Sequence, residues 1–262
     1  MLLAIDIGNT NIVLGAFEGE KLKATWRIAT GVHRMWDEYA VVLINLLWTQ
    51  GMDIKQVDGV VMCSVVPPIG AVWEEMCKRY THTTPVVVGA GVRTGVRITQ
   101  DNPREVGADR VVHAAAAHHL YGGTASIVID MGTATTFDVV SKEGDHLGGA
   151  IAPGIVIATE ALTARTSALP RIDLVRPRRA IGKNTVAAMQ SGIVFGYVGL
   201  VEGMVKRIKE ELAEPAKVIA TGGNARLIAN ETSAIDVVDT DLILVGLRLI
   251  YDMNKPLQSL QT

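Results

Sequence analysis

Ile5-Asp6-Ile7-Gly8-Asn9-Thr10-Asn11 and Ile129-Asp130-Met131-Gly132-Thr133-Ala134-Thr135 are near copies of one another, half a chain apart. Each follows an apolar run that reads as a buried strand, and each sets an aspartate at the strand's end before a glycine turn. A carboxylate there can face a cation. The backbone N–H groups of such a turn can hold an anion, and glycine lets the chain approach closely. One Asp-x-Gly turn is an ordinary strand ending. Two of them, on halves of similar pattern, suggest a nucleotide held in a cleft between the halves. A third place of interest is Val218-Ile219-Ala220-Thr221-Gly222-Gly223-Asn224, where a strand ends in two glycines. With no side chain intervening, a base or ribose can lie against that backbone, although a Gly-Gly pair alone is more often only a turn.

Asp101-Asn102-Pro103-Arg104-Glu105-Val106-Gly107-Ala108-Asp109-Arg110 crowds five charges and a helix start into ten residues. In phosphoryl transfer an aspartate often takes the proton of the attacking hydroxyl, while positioning and electrostatics supply most of the rate. Asp109 can serve as that base if it faces a cleft, and the planar fork of Arg110 can neutralise a carboxylate or a phosphate oxygen. By spacing alone, an exposed helix-start cluster with Asp109 and Arg110 as a solvated pair is the favoured reading.

The positioning elements follow from periodicity. Residues 2–7, 11–18 and 22–29 read as three strands, 35–50 as a helix stopped by Gly51, and 58–66 as a buried strand halted by Pro67-Pro68. A helix over 69–80, a strand at 85–88 and an alanine-rich helix over 104–121 complete the first half. The second half restarts with strands at 125–131, 134–141 and 145–151, helices at 155–166 and 183–212, a strand at 217–220 and a helix at 241–253. A boundary near Tyr121-Gly122-Gly123 gives two similar α/β domains, 1–120 and 121–262. Gly192, Gly196, Gly199 and Gly203 weaken the long helix unless another helix packs closely on them.

Composition narrows the function classes. Of 262 residues, 48% are apolar and 20% charged, an ordinary globular balance. A net charge of −2 gives no nucleic-acid footprint. Cys63 and Cys77 make no disulfide scaffold, and Cys63 reads as a buried reduced thiol. The start enters a strand at once, without a signal peptide's pattern, so a cytoplasmic location is expected. The uncharged run Thr185 to Val201 is short of a bilayer span and reads as a buried or subunit-interface helix, not a membrane segment. The four tryptophans, Trp26, Trp36, Trp48 and Trp73, read as packing residues.

In their order along the chain, the two Asp-x-Gly turns and the Gly222-Gly223 pair resemble the adenosine motif set of the acetate and sugar kinase, heat-shock chaperone and actin superfamily. That resemblance implies two ribonuclease H-like domains, a duplicated actin-like ATPase fold with a nucleotide cleft. The Asp101–Arg110 run, the two Asp-x-Gly turns, Gly148-Gly149-Ala150-Ile151-Ala152-Pro153-Gly154 and Gly182-Lys183-Asn184-Thr185 resemble type III pantothenate kinases, from residue 1 to about 253. The resemblance implies transfer of the γ-phosphoryl of ATP to the primary hydroxyl of pantothenate, the first step toward coenzyme A. It implies an ATP turn of Asp6, Ile7, Gly8, Asn9, Thr10, Asn11, Ile12 and Val13, with Asp6 near Mg²⁺, Thr133 touching ATP and Gly222 and Gly223 against the adenosine. Asp109 would be the proton acceptor. Gln100, Gly107, Ala108, Asp109, Arg110 and Thr185 would hold pantothenate, Asp130 a monovalent cation (K⁺ or NH₄⁺), and the protein would be a homodimer.

The chain departs from the family's usual pattern at three positions. Gln100 stands where tyrosine is common before Asp-Asn-Pro, His113 where many members have asparagine, and Val245 where glutamate is frequent. The residues therefore leave two further readings open. One is an inactive relative that binds ligand as a regulatory or accessory protein. The other is a kinase or phosphohydrolase for another small hydroxy acid.

Overall fold

A computed structural model describes residues 1–212 and 214–255. Packing divides the chain into two compact units, residues 1–116 with the final helix, and residues 117–241.

The first unit contains β1 (Leu2–Ile7), β2 (Asn11–Glu18), β3 (Lys21–Ala29), α1 (Trp36–Thr49), β4 (Gly59–Ser64), α2 (Pro67–Tyr80), β5 (Val86–Val87), a short β6 (Arg97–Ile98) and the start of α3 (Ala108–Tyr121). Its sheet runs β3-β2-β1-β4-β5. β1, β2 and β3 are antiparallel neighbours, whereas β1, β4 and β5 are parallel. Strand alternation sorts the side chains onto two faces. Leu3, Ile5, Ile7, Val60 and Met62 face one way and pack with Leu43, Leu47, Ile69 and Trp73 of α1 and α2. Leu2, Ala4, Val61 and Cys63 face the other way, with Val112 and Ala115 of α3.

The second unit adds β7 (Ala125–Met131), β8 (Ala134–Val140), β9 (Asp145–Pro153), α4 (Ile155–Ala164), α5 (Thr185–Leu212), β10 (Ala216–Thr221), α6 (Ala225–Ala229) and β11 (Val237–Val238). Its strands follow the order β9-β8-β7-β10-β11. Again the first three pair antiparallel and the last two join in parallel. The topology of the first unit is thus repeated, and β1 and β7 are equivalent central strands. One face carries Ile127, Ile129 and Val218 against Val194, Val198, Val201 and Val205 of α5. α5 is long and apolar enough to cross a membrane by length and composition. Its stripe of Val194, Val198, Val201 and Val205 is seated in this core. On the other side of β8, the fully buried Asp138 and His146 pair at 2.8 Å, with Thr136 Oγ1 donating to Asp138 at 3.2 Å.

Four readings from sequence change. The final helix α7 (Leu242–Asn254), assigned by chain order to the second half, packs on β1, β2 and β4. Its apolar stripe of Ile243, Leu244, Leu247 and Ile250 completes the α3 face of the first unit's core. Gly246 makes this crossing tight, since a Cβ there would lie 2.6 Å from the Val112 carbonyl oxygen on α3. The helix expected from residue 104 begins at Ala108, because Pro103–Glu105 closes a separate 3-10 turn before Gly107. The helix expected from residue 69 begins at Pro67, where proline suits a first turn. Among the tryptophans, Trp73 is buried and Trp26 and Trp36 pack against the core, but Trp48 is 75% exposed on α1.

Candidate active site

The site is built from strand ends. Asp6 lies near the end of β1, directly across from Cys63 on the parallel neighbour β4. Both point to the sheet face covered by α3, so the first turn of that helix can present Asp109 on the same side. Cys63 Sγ–H donates to Asp6 Oδ1 at 3.2 Å. The thiol is buried while Asp6 and Asp109 are half-buried. Burial drives the Cys63 thiol well above its ordinary range, and the charges of Asp6 and Asp109 push it further the same way. Asp109 Oδ1 accepts the backbone N–H of Arg110 at 2.8 Å. A Cβ on Gly107 would lie 2.5 Å from that same oxygen, so a larger residue there would make the Asp109 carboxylate shift.

The turn after Asp6 is held from two sides. The Gly8 N–H donates to the Asn11 carbonyl at 3.0 Å, and the Thr30 N–H to the Thr10 carbonyl at 3.0 Å. Thr30 Oγ1 donates to the Gly8 carbonyl at 2.7 Å. Thr30 on the chain leaving β3 escapes sequence reasoning, because its role depends on a hairpin return and not on a motif. Asn9, Thr10 and Asn11 are exposed, as a ligand-facing turn requires. Ile7 and Ile12 are fully buried core residues and Val13 is half-buried, so the two isoleucines can meet a nucleotide only through their backbone. Gln100 and Arg110 are half-buried and flank the exposed segment Asp101–Glu105, in which Asn102 Nδ2 donates to Glu105 at 2.6 Å.

In the second unit, Asp130 pairs across strands with Thr136 on β8 and Thr221 on β10. Gly132 N–H donates to the Ala134 carbonyl at 3.0 Å, closing the turn that exposes Thr133. Gly222 follows β10 with φ +90°, and a Cβ there would fall 2.5 Å from Asp130 Oδ1 and 2.8 Å from the Met131 backbone. Only glycine fits both demands. Gly223 is exposed next to it, and Asn224 then reaches back to the Met131 carbonyl from its backbone N–H at 3.4 Å. The Gly222 turn and the Asp130 corner are thus one packed unit, a coupling invisible in two separate motifs.

Thr185 opens α5, and Asn184 caps the helix by accepting the Ala187 N–H at 2.9 Å. Thr185 is exposed and lines an open groove of about 730 Å³ with Leu162, Leu169, Lys183, Met189 and Ile193. None of the other predicted residues lines that groove.

The donor chemistry suits hard cations. Asp6 sits beside an exposed turn of amide, hydroxyl and carbonyl oxygens, and Asp130 beside the carbonyls of its own turn. Mg²⁺ is commonly held by one or two carboxylates together with substrate phosphates. Among the described residues no group of three or more His, Cys, Asp or Glu gathers to hold a metal by protein ligands alone. A single carboxylate at each corner fits cations that a nucleotide helps to bind.

Comparison with known proteins shows the family and the fold. A family model described as type III pantothenate kinase matches residues 2–207. A type III pantothenate kinase of Dehalococcoides mccartyi is 55% identical over 254 residues, covering 97% of this chain and 96% of that one. One from Moorella thermoacetica is also 55% identical, over 97% of this chain and 100% of that one. Among solved structures, a Campylobacter jejuni chain assigned to the Baf transcriptional-activator family matches with a TM-score of 0.61 at 20% identity, over 96% and 98% of the two chains. A Sinorhizobium meliloti chain named as a 2-dehydro-3-deoxygalactonokinase matches with a TM-score of 0.52 at 14% identity, over the full length of both. At those identities the structures speak to the fold, which is the duplicated two-domain kinase fold.

The corner itself generates a stability prediction. Gly222→Ala should lower stability by about 1–3 kcal/mol, the cost of a non-glycine residue held at positive φ, and should displace the Asp130 carboxylate. Thermal denaturation reads the loss, and an unchanged Tm would mean that β10 ends in a relaxed turn.

Proposed function

This chain belongs to the type III pantothenate kinase family, and from that membership we propose that it phosphorylates the primary hydroxyl of pantothenate at the expense of ATP, in the cytoplasm, as the entry step to coenzyme A. The supporting observation is that Asp6 lies at the end of β1, bonded to Cys63 on the sheet face of the first unit that α3 covers, and that Asp109 stands in the first turn of that helix. A phosphate-binding corner and a general base are needed side by side in a kinase, and a pure binding module has no use for the second.

In this reading the Asp6–Val13 turn holds the phosphates of ATP, with its exposed Asn9, Thr10 and Asn11 and its backbone N–H groups supplying the donors. Mg²⁺, when bound near Asp6, neutralises charge on the phosphates. Asp109 accepts the proton of the pantothenate hydroxyl as the phosphoryl group leaves ATP. Gln100, Gly107, Ala108 and Arg110 surround that hydroxy acid, and the Arg110 guanidinium pairs with its carboxylate. In the second unit Thr133 touches ATP, Gly222 and Gly223 lie against the adenosine, and Asp130 holds K⁺ or NH₄⁺. Thr185 contacts pantothenate from the groove at the start of α5.

The protein acts as a homodimer through α5. Gly192, Gly196 and Gly199 recur at helical spacing, and nothing within 4 Å would meet a Cβ at any of them. A second helix can approach that face closely, whereas bulk would hold it off.

The activity is tested by coupled ADP release with and without pantothenate, in K⁺ and in Na⁺ buffers. Release that needs pantothenate supports the reading, and release without it or in no buffer opposes it. Asp109→Asn should lower turnover at least ~10²-fold, the scale of general-base assistance, with ATP affinity kept. Unchanged turnover removes the base from Asp109. Asp130→Ala should abolish stimulation by K⁺, and a persistent K⁺ response would locate the ion elsewhere. Gly196→Leu should convert a dimer to monomer by light scattering, and an intact dimer would rule out this face.

A further inference from the structure

Cys63 occupies a position that the functional reading leaves unused. It is fully buried on β4, in register with Asp6 on β1, and its Sγ–H bonds to Asp6 Oδ1 at 3.2 Å. The side chains of Ala4 and Val61 on this face are plain hydrocarbons and offer the thiol no hydrogen-bond partner. The duplicate unit repeats the choice. There the residue in register with Asp130 is Thr221 on β10, again small, buried and able to donate a hydrogen bond. The two corners have diverged in sequence, yet both keep a short donor opposite the strand-end aspartate.

We propose that Cys63 is a positioning residue that fixes the Asp6 carboxylate through the Sγ–H···Oδ1 bond, in the orientation that receives Mg²⁺-bound ATP. This rests on the role given to Asp6 above and deepens it. A strand-end aspartate can rotate about its side-chain bonds. A donor fixed in the neighbouring strand removes that freedom before nucleotide arrives, and the metal-nucleotide complex then meets an oriented oxygen. The thiol touches neither substrate nor metal, and acts only through Asp6.

Three variants and two readouts test the assignment. Cys63→Ala removes the donor and Cys63→Ser keeps one. Asp6→Asn removes the carboxylate through which the donor would act. Mg²⁺-ATP affinity is measured by calorimetry without pantothenate, beside ATP affinity in EDTA, with thermal denaturation as a check on folding. Cys63→Ala should weaken Mg²⁺-ATP binding about five- to tenfold, the scale of one ordinary intramolecular hydrogen bond, since a thiol is a weak donor. ATP binding in EDTA should change less than about twofold. Cys63→Ser should retain Mg²⁺-ATP affinity to within about twofold. On the Asp6→Asn background, Cys63→Ala should add no further loss, as expected for coupled partners. Equal loss in the serine and alanine variants, or an undiminished alanine effect on the Asp6→Asn background, would reduce Cys63 to a packing residue. Should Cys63→Ala fail to fold, Cys63→Ser and the Asp6→Asn/Cys63→Ser pair carry the test: a serine variant that loses Mg²⁺-ATP affinity with Asp6 present and absent alike overturns the proposal. Because these measurements omit pantothenate, they stand even if the ADP-release assay names a different acceptor.

Discussion

The parallel register of β1 and β4 is the constraint on which the site depends. It sets Asp6 opposite Cys63 and sends both to the face that α3 covers. A slip of one residue would turn Asp6 into the α1–α2 core, against Val60, Met62 and Trp73, and would turn Ile5 and Ile7 out of it. The burial pattern therefore protects the chemistry. The same alternation that excludes water from Leu3 and Ile5 brings Asp6 to the side where α3 begins. The α7 helix seals the arrangement, because Gly246 admits the α3 backbone closely enough to seat that helix on the sheet.

Duplication gave the protein two versions of one strand-end corner, and their differences are informative. Both have an aspartate near the end of the central strand, a small-residue turn and a short donor on the neighbouring parallel strand. In the second unit the following residue, Gly222, closes directly over the aspartate, so Asp130 is walled by backbone. In the first unit the equivalent strand runs on through Ser64 toward Pro67, and the corner is met by the first turn of a helix. A backbone-walled carboxylate suits a cation held in place. A carboxylate beside a helix start that carries a second acid suits phosphoryl chemistry.

Most of the strands and helices could be read from periodicity, because their two-faced burial imposes it. The β1–β3 and β7–β9 hairpins and the β4 run alternate or saturate with apolar residues as the sheet demands. The start of α3 could not be read so well. Pro103 is an acceptable first-turn residue for an α-helix, and only the folded chain shows that it opens a separate 3-10 turn over Pro103–Glu105, so that the helix proper begins at Ala108. The placement of α7 was beyond reach for a different reason. Its stripe of Ile243, Leu244, Leu247 and Ile250 announces an amphipathic helix but carries no address, and chain order points to the wrong half.

The candidate site divides along the same line. Carboxylates and glycines in short motifs declare themselves, since few structural roles demand Asp-x-Gly twice. Their supports do not. Thr30, which holds the Gly8 carbonyl from the end of a hairpin, is one threonine among many until the turn is folded. Cys63 reads as an ordinary buried thiol because its apolar surroundings are all that sequence reports. What distinguishes it is one contact across two strands separated by 57 positions. Residues that meet a ligand are drawn from a narrow chemical menu and leave a local signature. Residues that orient them need only reach, and reach is a property of the fold.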